Sequence, residues 1–384
     1  MRCSSFLKIY EIYFGLLVFW MVPNFIEGQV SSSVLSTGKW ERALIPFWKT
    51  DTIYNEIIQP IKDQSSLPVG NLLFQAKEVI SVTDGYQKKE FQKGKDWKYK
   101  RGKIVIPKGS EIPYFNREDL IYRDKKEGVS MKSSLPDKYI LFSENGLLQS
   151  RQLAVTYVKK RKSQWKGRIQ NIARNQLVQT LLKLKEGKTV KIVFYGDSIE
   201  TGANSSSTLG QSPFLPTWPE LIVYNLRNNY SGAIEYSNKS KGGMKASWGV
   251  ENADKLVNPE NPDLVIIGFG MNDGSVGISP RKFTNQLQSI VNSIKRENPQ
   301  CEFILITPMI PNPDAIQSGI QKKYRKPIFD LQKKGVAIAD LTSVHEELLL
   351  HKSYQDMTGN NVNHPNDYLA RWYAQVISAL LIEK

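Results

Sequence analysis

Cysteine is nearly absent from this chain: its 384 residues include two, Cys3 and Cys301. Cys3 falls in an N-terminal stretch with the marks of a removable leader, and the one thiol left cannot close an intramolecular disulfide. The fold must therefore stand on its core rather than on covalent staples, and Cys301, opening the apolar stretch CEFILIT, reads as a small buried hydrophobe. Histidine is almost as scarce, with three in the chain: His345, His351 and His364. Paired Cys/His zinc spacing is missing, as is any aromatic RNA-binding strand signature. Neither a metal site, nor an organic cofactor, nor a nucleic-acid partner is expected. No apolar run reaches the eighteen residues that would suggest a membrane span. Ile12 to Val22 is a run of eleven, short of the roughly twenty that cross a bilayer.

That run has the setting of an export signal. Arg2 and Lys8 precede it, and Gly28 and Ser31 to Ser33 follow as small residues. Residues 1–30 are expected to be a signal peptide, leaving a mature protein without an integral span, secreted or periplasmic. The formal charge of +15 favours anionic partners but does not specify a chemistry.

A length of 384 residues suggests two domains. Residues 31–159 hold short strand patterns punctuated by Asp84-Gly85, Lys93-Gly94 and Glu144 to Gly146, which predicts an all-β, sandwich-like domain. Within it, Lys88 to Lys103 carries eight Lys/Arg against two acids. It reads as a charged, solvated hairpin, with a sugar- or polyanion-binding surface as the alternative. From residue 160 the texture changes. Trp165, Ile169, Ile172, Ala173, Leu177, Leu181 and Leu184 recur at helical spacing, predicting a leading helix up to Gly187. Beyond it, apolar strands at Val190 to Tyr195, Ile234 to Tyr236, Leu264 to Phe269, Phe303 to Ile306 and Val336 to Ala339 alternate with helices. One helix is expected near 315–334 and the last at 367–382. Buried strands separated by helices predict a doubly wound, three-layer α/β/α domain over 160–384. Its working groups should sit beyond the carboxyl ends of the strands.

Those ends hold the chemistry. The first strand stops in Gly196-Asp197-Ser198, which offers a hydroxyl nucleophile and a free amide. Ser240 to Met244 follows the second strand and includes Gly243. The third runs into Gly270-Met271-Asn272-Asp273, whose Asn272 amide could serve an oxyanion, a contact worth about 3 kcal/mol in acyl transfer. His364 lies in Asn361 to Asp367, just before the last helix. His345 and His351, in VHEELLLHK, read as surface residues. Each piece alone is ordinary turn chemistry; the four in this order are not.

The combination of Gly196-Asp197-Ser198, Gly243, Gly270-Met271-Asn272-Asp273 and His364-Pro365-Asn366 resembles the SGNH (GDSL-type) hydrolase superfamily over about Val190 to Lys384. The resemblance implies a flavodoxin-like three-layer fold and a serine esterase in which Ser198 is nucleophile and His364 general base. The oxyanion donors would be the Ser198 and Gly243 amides and the Asn272 side chain. The β-domain resembles the accessory domain of some secreted bacterial carbohydrate deacetylases. One position departs from the pattern: three residues before the histidine the superfamily has aspartate, and this chain has Asn361. Asn in place of a triad Asp can cost about 10⁴ in rate by holding the wrong tautomer. Three arrangements stay open: Asn361 orients His364, Asp356 folds back to do so, or Ser198 and His364 act as a dyad.

The substrate expected is a short acyl ester, O-acetyl above all, on a polysaccharide or oligosaccharide, with Trp248 either stacking on a sugar ring or packing in the core. A lysophospholipase or thioesterase, or a catalytically impaired carbohydrate-binding protein, are the alternatives.

Overall fold

The computed structural model describes residues 40–64 and 66–383, so the expected leader and Cys3 lie outside the described residues. The described residues fall in one compact unit. Its C-terminal half is built on a five-stranded parallel sheet in the order Ile234–Asn238, Val190–Gly196, Leu264–Gly268, Glu302–Ile306, Val336–Ala339. Leu264–Gly268 and Glu302–Ile306 are buried at every residue, as strands covered on both faces must be. Alternate side chains serve opposite faces. Val193, Tyr195, Val265, Ile267 and Leu305 join a core with helices Ala246–Leu256 and Pro280–Glu297. Phe194 meets Trp218 edge-on at 5.6 Å, and Trp218 in turn packs on Tyr373 of helix Asp367–Ser378. This is the expected flavodoxin-like α/β/α arrangement, whose strand order reverses direction beside Val190–Gly196. Ligand sites in such sheets open at that reversal.

The N-terminal part is β-rich, as expected, and consists of three small sheets. Leu153–Lys159 is central to one, between Thr52–Ile58 and Ala76–Asp84. Lys98–Lys100 and Lys103–Val105 form a hairpin at the edge of a five-stranded sheet. Tyr139–Leu141 lies between Ile121–Tyr122 and Ser130–Lys132 in the third.

Three helices are shorter than the sequence predicts; the last, expected at 367–382, spans Asp367–Ser378. Of the stretch 160–185, only Val178–Lys185 is helical. The apolar residues before it run along the C-terminal helix instead. Trp165 lies 4.6 Å from Trp372, ring to ring, and the Ala173 amide donates to the Leu380 carbonyl. A helix-like spacing is thus met by a non-helical segment lying in a tertiary groove. Near 315–334 only Gln321–Tyr324 (a 3₁₀ turn) and Arg325–Phe329 are helical. Gly319 packs so closely on the Gly274 backbone that no side chain fits there. Cys301 is buried, as expected.

A buried ion pair joins the two halves. Lys352 Nζ donates to Glu56 Oε1 at 2.5 Å and to the Asn71 carbonyl at 3.0 Å, with both side chains out of solvent. Glu56 also accepts from the Leu73 amide and from the Tyr157 hydroxyl. Removing one partner of such a pair strands the other charge. Lys352→Met is therefore expected to lower unfolding stability by about 3–5 kcal/mol. Lys89→Met, which breaks the exposed pair with Glu111, should leave the urea midpoint within error. Equal effects of the two would remove Lys352 from this role.

Candidate active site

The strand Val190–Gly196 ends in a place that admits only glycine. A Cβ on Gly196 would collide with the Gly268 carbonyl, and one on Gly268 would collide with Glu200. This close approach lets the chain turn sharply into Asp197–Ser198, with successive turn bonds from Thr201 to Asp197 and from Ala203 to Ser198. Ser198 is left half-buried at the carboxyl edge of the sheet.

His364 is delivered from the other side by a loop built on Asn360. The Asn360 Oδ1 accepts from the amides of Val362, Asn363 and His364. The Thr358 hydroxyl and Gly359 amide then donate to the His364 carbonyl. Asn366 caps the following helix by accepting from the amides of Tyr368 and Leu369. The imidazole arrives with Nε2 2.9 Å from Ser198 Oγ. Burial pushes its pKa down to about 4, so at neutral pH the ring is uncharged and able to accept a proton.

Neither residue expected to orient the ring does so. The Asn361 Oδ1 accepts from Asn312 and Gln355, while its Nδ2 donates to the Leu141 carbonyl. A left-handed backbone (φ 69°) accompanies this outward placement. Asp356 accepts from the Gln59 amide at 2.6 Å and the Ser353 amide at 2.8 Å, and lies 3.9 Å from Lys352. Its carboxylate is a structural clamp between the two halves.

The ring's partner is instead Asn204, whose Oδ1 lies 2.6 Å from His364 Nδ1. The amide's orientation follows from its other end: Asn204 Nδ2 donates to the Glu144 carbonyl at 3.3 Å. With Oδ1 facing the ring, Nδ1 carries the hydrogen and Nε2 is the free acceptor opposite Ser198. The Glu144 side chain adds a carboxylate 3.5 Å from Nδ1. Sequence reasoning missed both residues. Asn204 is an ordinary loop-former in Gly202-Ala203-Asn204, and Glu144 belongs to a turn of the β-rich part.

Among the described residues no acceptor is found for the amides of Ser198 and Gly243, and Gly243 (φ 77°) lines the same cavity as Ser198 and His364. Asn272 lines it too, with Nδ2 donating to the Met244 carbonyl at 2.9 Å and to Asp197 Oδ2 at 3.2 Å. To serve an oxyanion it would share one of these hydrogens. Asp273 accepts twice from the Ala246 amide, fixing the helix start that follows Gly243. Beneath the nucleophile, burial pushes the Asp197 carboxyl up to about 7 and raises Glu200 well above the carboxylate range. A protonated Glu200 donating to Asp197 limits the negative charge below the oxyanion position.

The cavity is about 570 Å³ and takes Met131, Phe142 and Glu144 of the β-rich part into its wall. Trp248 is not in that wall. It is partly buried and packs against the core, on Tyr195 at 5.6 Å and on Phe269 at 6.5 Å. His345, expected at the surface, is buried, accepts from the Ile310 amide through Nδ1, and is driven down to about 3 by burial. His351 is exposed beside Glu347, as expected. Among the described residues no group of His, Cys, Asp and Glu could hold a metal ion, and no helix is long and apolar enough to cross a membrane.

Part of this chain is similar to known proteins. Residues 194–371 match the GDSL-like lipase/acylhydrolase family. An arylesterase of Vibrio mimicus is 30% identical over 144 residues, which are 38% of this chain and 64% of the arylesterase. Among solved structures, a two-domain esterase active on acetylated mannans is similar over 56% of this chain and 55% of its own, at 18% identity and a TM-score of 0.44. A catalytic mutant of an acetylxylan esterase from Geobacillus stearothermophilus is similar over 51% of this chain and 95% of its own, at 17% identity and a TM-score of 0.41. The chain thus spans somewhat under two thirds of the arylesterase and about half of the mannan esterase. The matched segment 194–371 is the one that carries Ser198, Asn204, Asn272 and His364.

Proposed function

We propose that this protein is an exported serine esterase that removes short acyl groups, O-acetyl above all, from carbohydrate. The observation that carries the proposal is the bond of 2.9 Å between Ser198 Oγ and an uncharged His364 Nε2, in a cavity shared with Gly243, where the Ser198 and Gly243 amides find no acceptor among the described residues.

Ser198 attacks the ester carbonyl while His364 Nε2 takes its proton. The carbonyl oxygen becomes an oxyanion held by the Ser198 and Gly243 amides, with Asn272 joining as a third donor. The imidazolium then gives its proton to the departing alcohol oxygen as the C–O bond breaks, leaving an acyl-serine. Water attacks that acyl group with His364 again as base, and carboxylic acid and free serine are released. Asn204 keeps the ring in the productive tautomer throughout. The Glu144 carboxylate faces the imidazolium during the short time it is charged.

The cavity, walled partly by the β-rich segment, sets Thr201, Thr208, Gln317 and Asn363 beside Met131, Phe142 and Leu209, a mixed lining that we read as suited to a short acyl group on a hydrophilic alcohol. Hydrolysis of 4-nitrophenyl esters should accordingly fall from acetate to longer acyl chains and vanish in Ser198→Ala without loss of melting temperature. Ester turnover by Ser198→Ala equal to wild type would overturn the nucleophile. Preference for long chains would favour a lipase or lysophospholipase.

The orienting group has its own test. Asn204→Leu should lower kcat/KM by up to about 10⁴, the cost of a mis-set tautomer, whereas Asn204→Asp should keep an acceptor and most of the rate. Protonating His364 removes the base, so kcat/KM should be flat near neutrality and fall as pH drops through about 4. Glu144→Gln removes a charge that favours imidazolium and should move that limb to lower pH. A limb that stays put in Glu144→Gln would take the carboxylate out of the mechanism.

A further inference from the structure

A second concavity, about 710 Å³, lies away from the catalytic groups, between the β-rich part and the C-terminal half. Two segments remote in sequence bring cations to it. Arg101 and Lys103 come from the tip of the hairpin Lys98–Lys100/Lys103–Val105, and Lys160, Lys162 and Lys166 from the segment after strand Leu153–Lys159. Its lining includes no Asp or Glu.

We propose that this groove binds a carboxylated polysaccharide, a uronate-containing chain, and so holds a polymeric substrate on the enzyme while the separate cavity at Ser198 removes its acyl groups. The inference rests on the carbohydrate-ester reading above. Elsewhere in the molecule basic residues meet acids: Lys89 with Glu111, Lys183 with Asp263, Lys239 with Glu260 and Arg325 with Asp340. None of the five groove cations is among the ion-paired residues of the described chain, and all five are exposed. Like charges gathered in one concavity repel each other. A cleft lined by one sign also focuses its field on incoming anions of the other sign.

The lining separates a glycan from a nucleic acid. Single-stranded nucleic acid is gripped by bases stacking on open aromatic faces. The two aromatic residues in this wall, Phe74 and Trp165, are buried, with Trp165 against Trp372. What remains accessible is mainly cationic and amide chemistry, from the five cations with Gln75 and Gln164, beside the exposed Leu350 and the single imidazole of His351 at the rim. That matches carboxylates and hydroxyls spaced along a sugar chain. The arrangement also gives a use to part of the basic stretch Lys88 to Lys103 and to part of the +15 charge.

Affinity electrophoresis of the full protein in gels containing polygalacturonate, neutral mannan or single-stranded DNA tests the proposal. Polygalacturonate should retard the protein at low salt, and the retardation should fade as ionic strength rises. The combined variant Lys160→Ala, Lys162→Ala, Lys166→Ala should weaken it by about tenfold or more, as removal of three unscreened charges requires. The opposite-wall pair Arg101→Ala, Lys103→Ala should weaken it too and guards against a folding defect in the first variant. Both variants should hydrolyse 4-nitrophenyl acetate as wild type does. Equal retardation by mannan, stronger retardation by DNA, or unchanged binding in both well-folded variants would overturn the proposal. Salt-sensitive polygalacturonate binding by a protein with no Ser198-dependent ester hydrolysis would keep the groove and overturn the esterase reading instead.

Discussion

The 2.6 Å hydrogen bond between His364 Nδ1 and Asn204 Oδ1 decides what the rest of the site can do. An imidazole has two nitrogens and one proton at neutral pH, and only the tautomer with Nδ1–H leaves Nε2 free to accept from Ser198. A carboxylate in that place enforces the choice because it can only accept. An amide can accept or donate, and its effect depends on which end faces the ring. Here the choice is made by the Glu144 carbonyl, which takes the amide hydrogen of Asn204 and turns its oxygen toward the histidine. Asn361 is thus not the residue beside the ring: the place next to Nδ1 is held by Asn204.

This arrangement makes the β-rich part a component of the site rather than an appendage. Glu144 supplies the orienting carbonyl and a nearby carboxylate, and Met131 and Phe142 form part of the cavity wall. Contacts of high specificity hold the two halves in register. Lys352 meets Glu56, Asp356 receives the Gln59 amide, and Arg371 donates to the Tyr54 carbonyl. Asn361 takes part as well, through its bond to the Leu141 carbonyl. The residue expected to direct the histidine thus anchors the strand Tyr139–Leu141, only three positions before Glu144.

The parallel sheet and its strand-end groups were legible in the sequence because their signals are local. A buried apolar strand followed by Gly-Asp-Ser, or by Gly-Met-Asn-Asp, needs no distant partner to be recognised. Asn204 and Glu144 were not legible. They meet His364 only through tertiary structure, 160 and 220 positions away along the chain, and each is an unremarkable turn residue in its own segment. The same limit explains the misread helix before Val178. Apolar residues at three- and four-residue spacing can face one neighbour without being helical, and here the neighbour is the C-terminal helix. His345 was misread for the converse reason: charged residues beside it in sequence point away from the pocket in which its own ring is buried.

The most direct test of this account is the tautomer of His364, read from side-chain ¹⁵N chemical shifts at neutral pH and assigned by comparison with His364→Gln. Three histidines make the spectrum simple. The account predicts a neutral ring protonated at Nδ1 in the wild type, with that state lost in Asn204→Leu. A ring protonated at Nε2, or an imidazolium at pH 7, would contradict it.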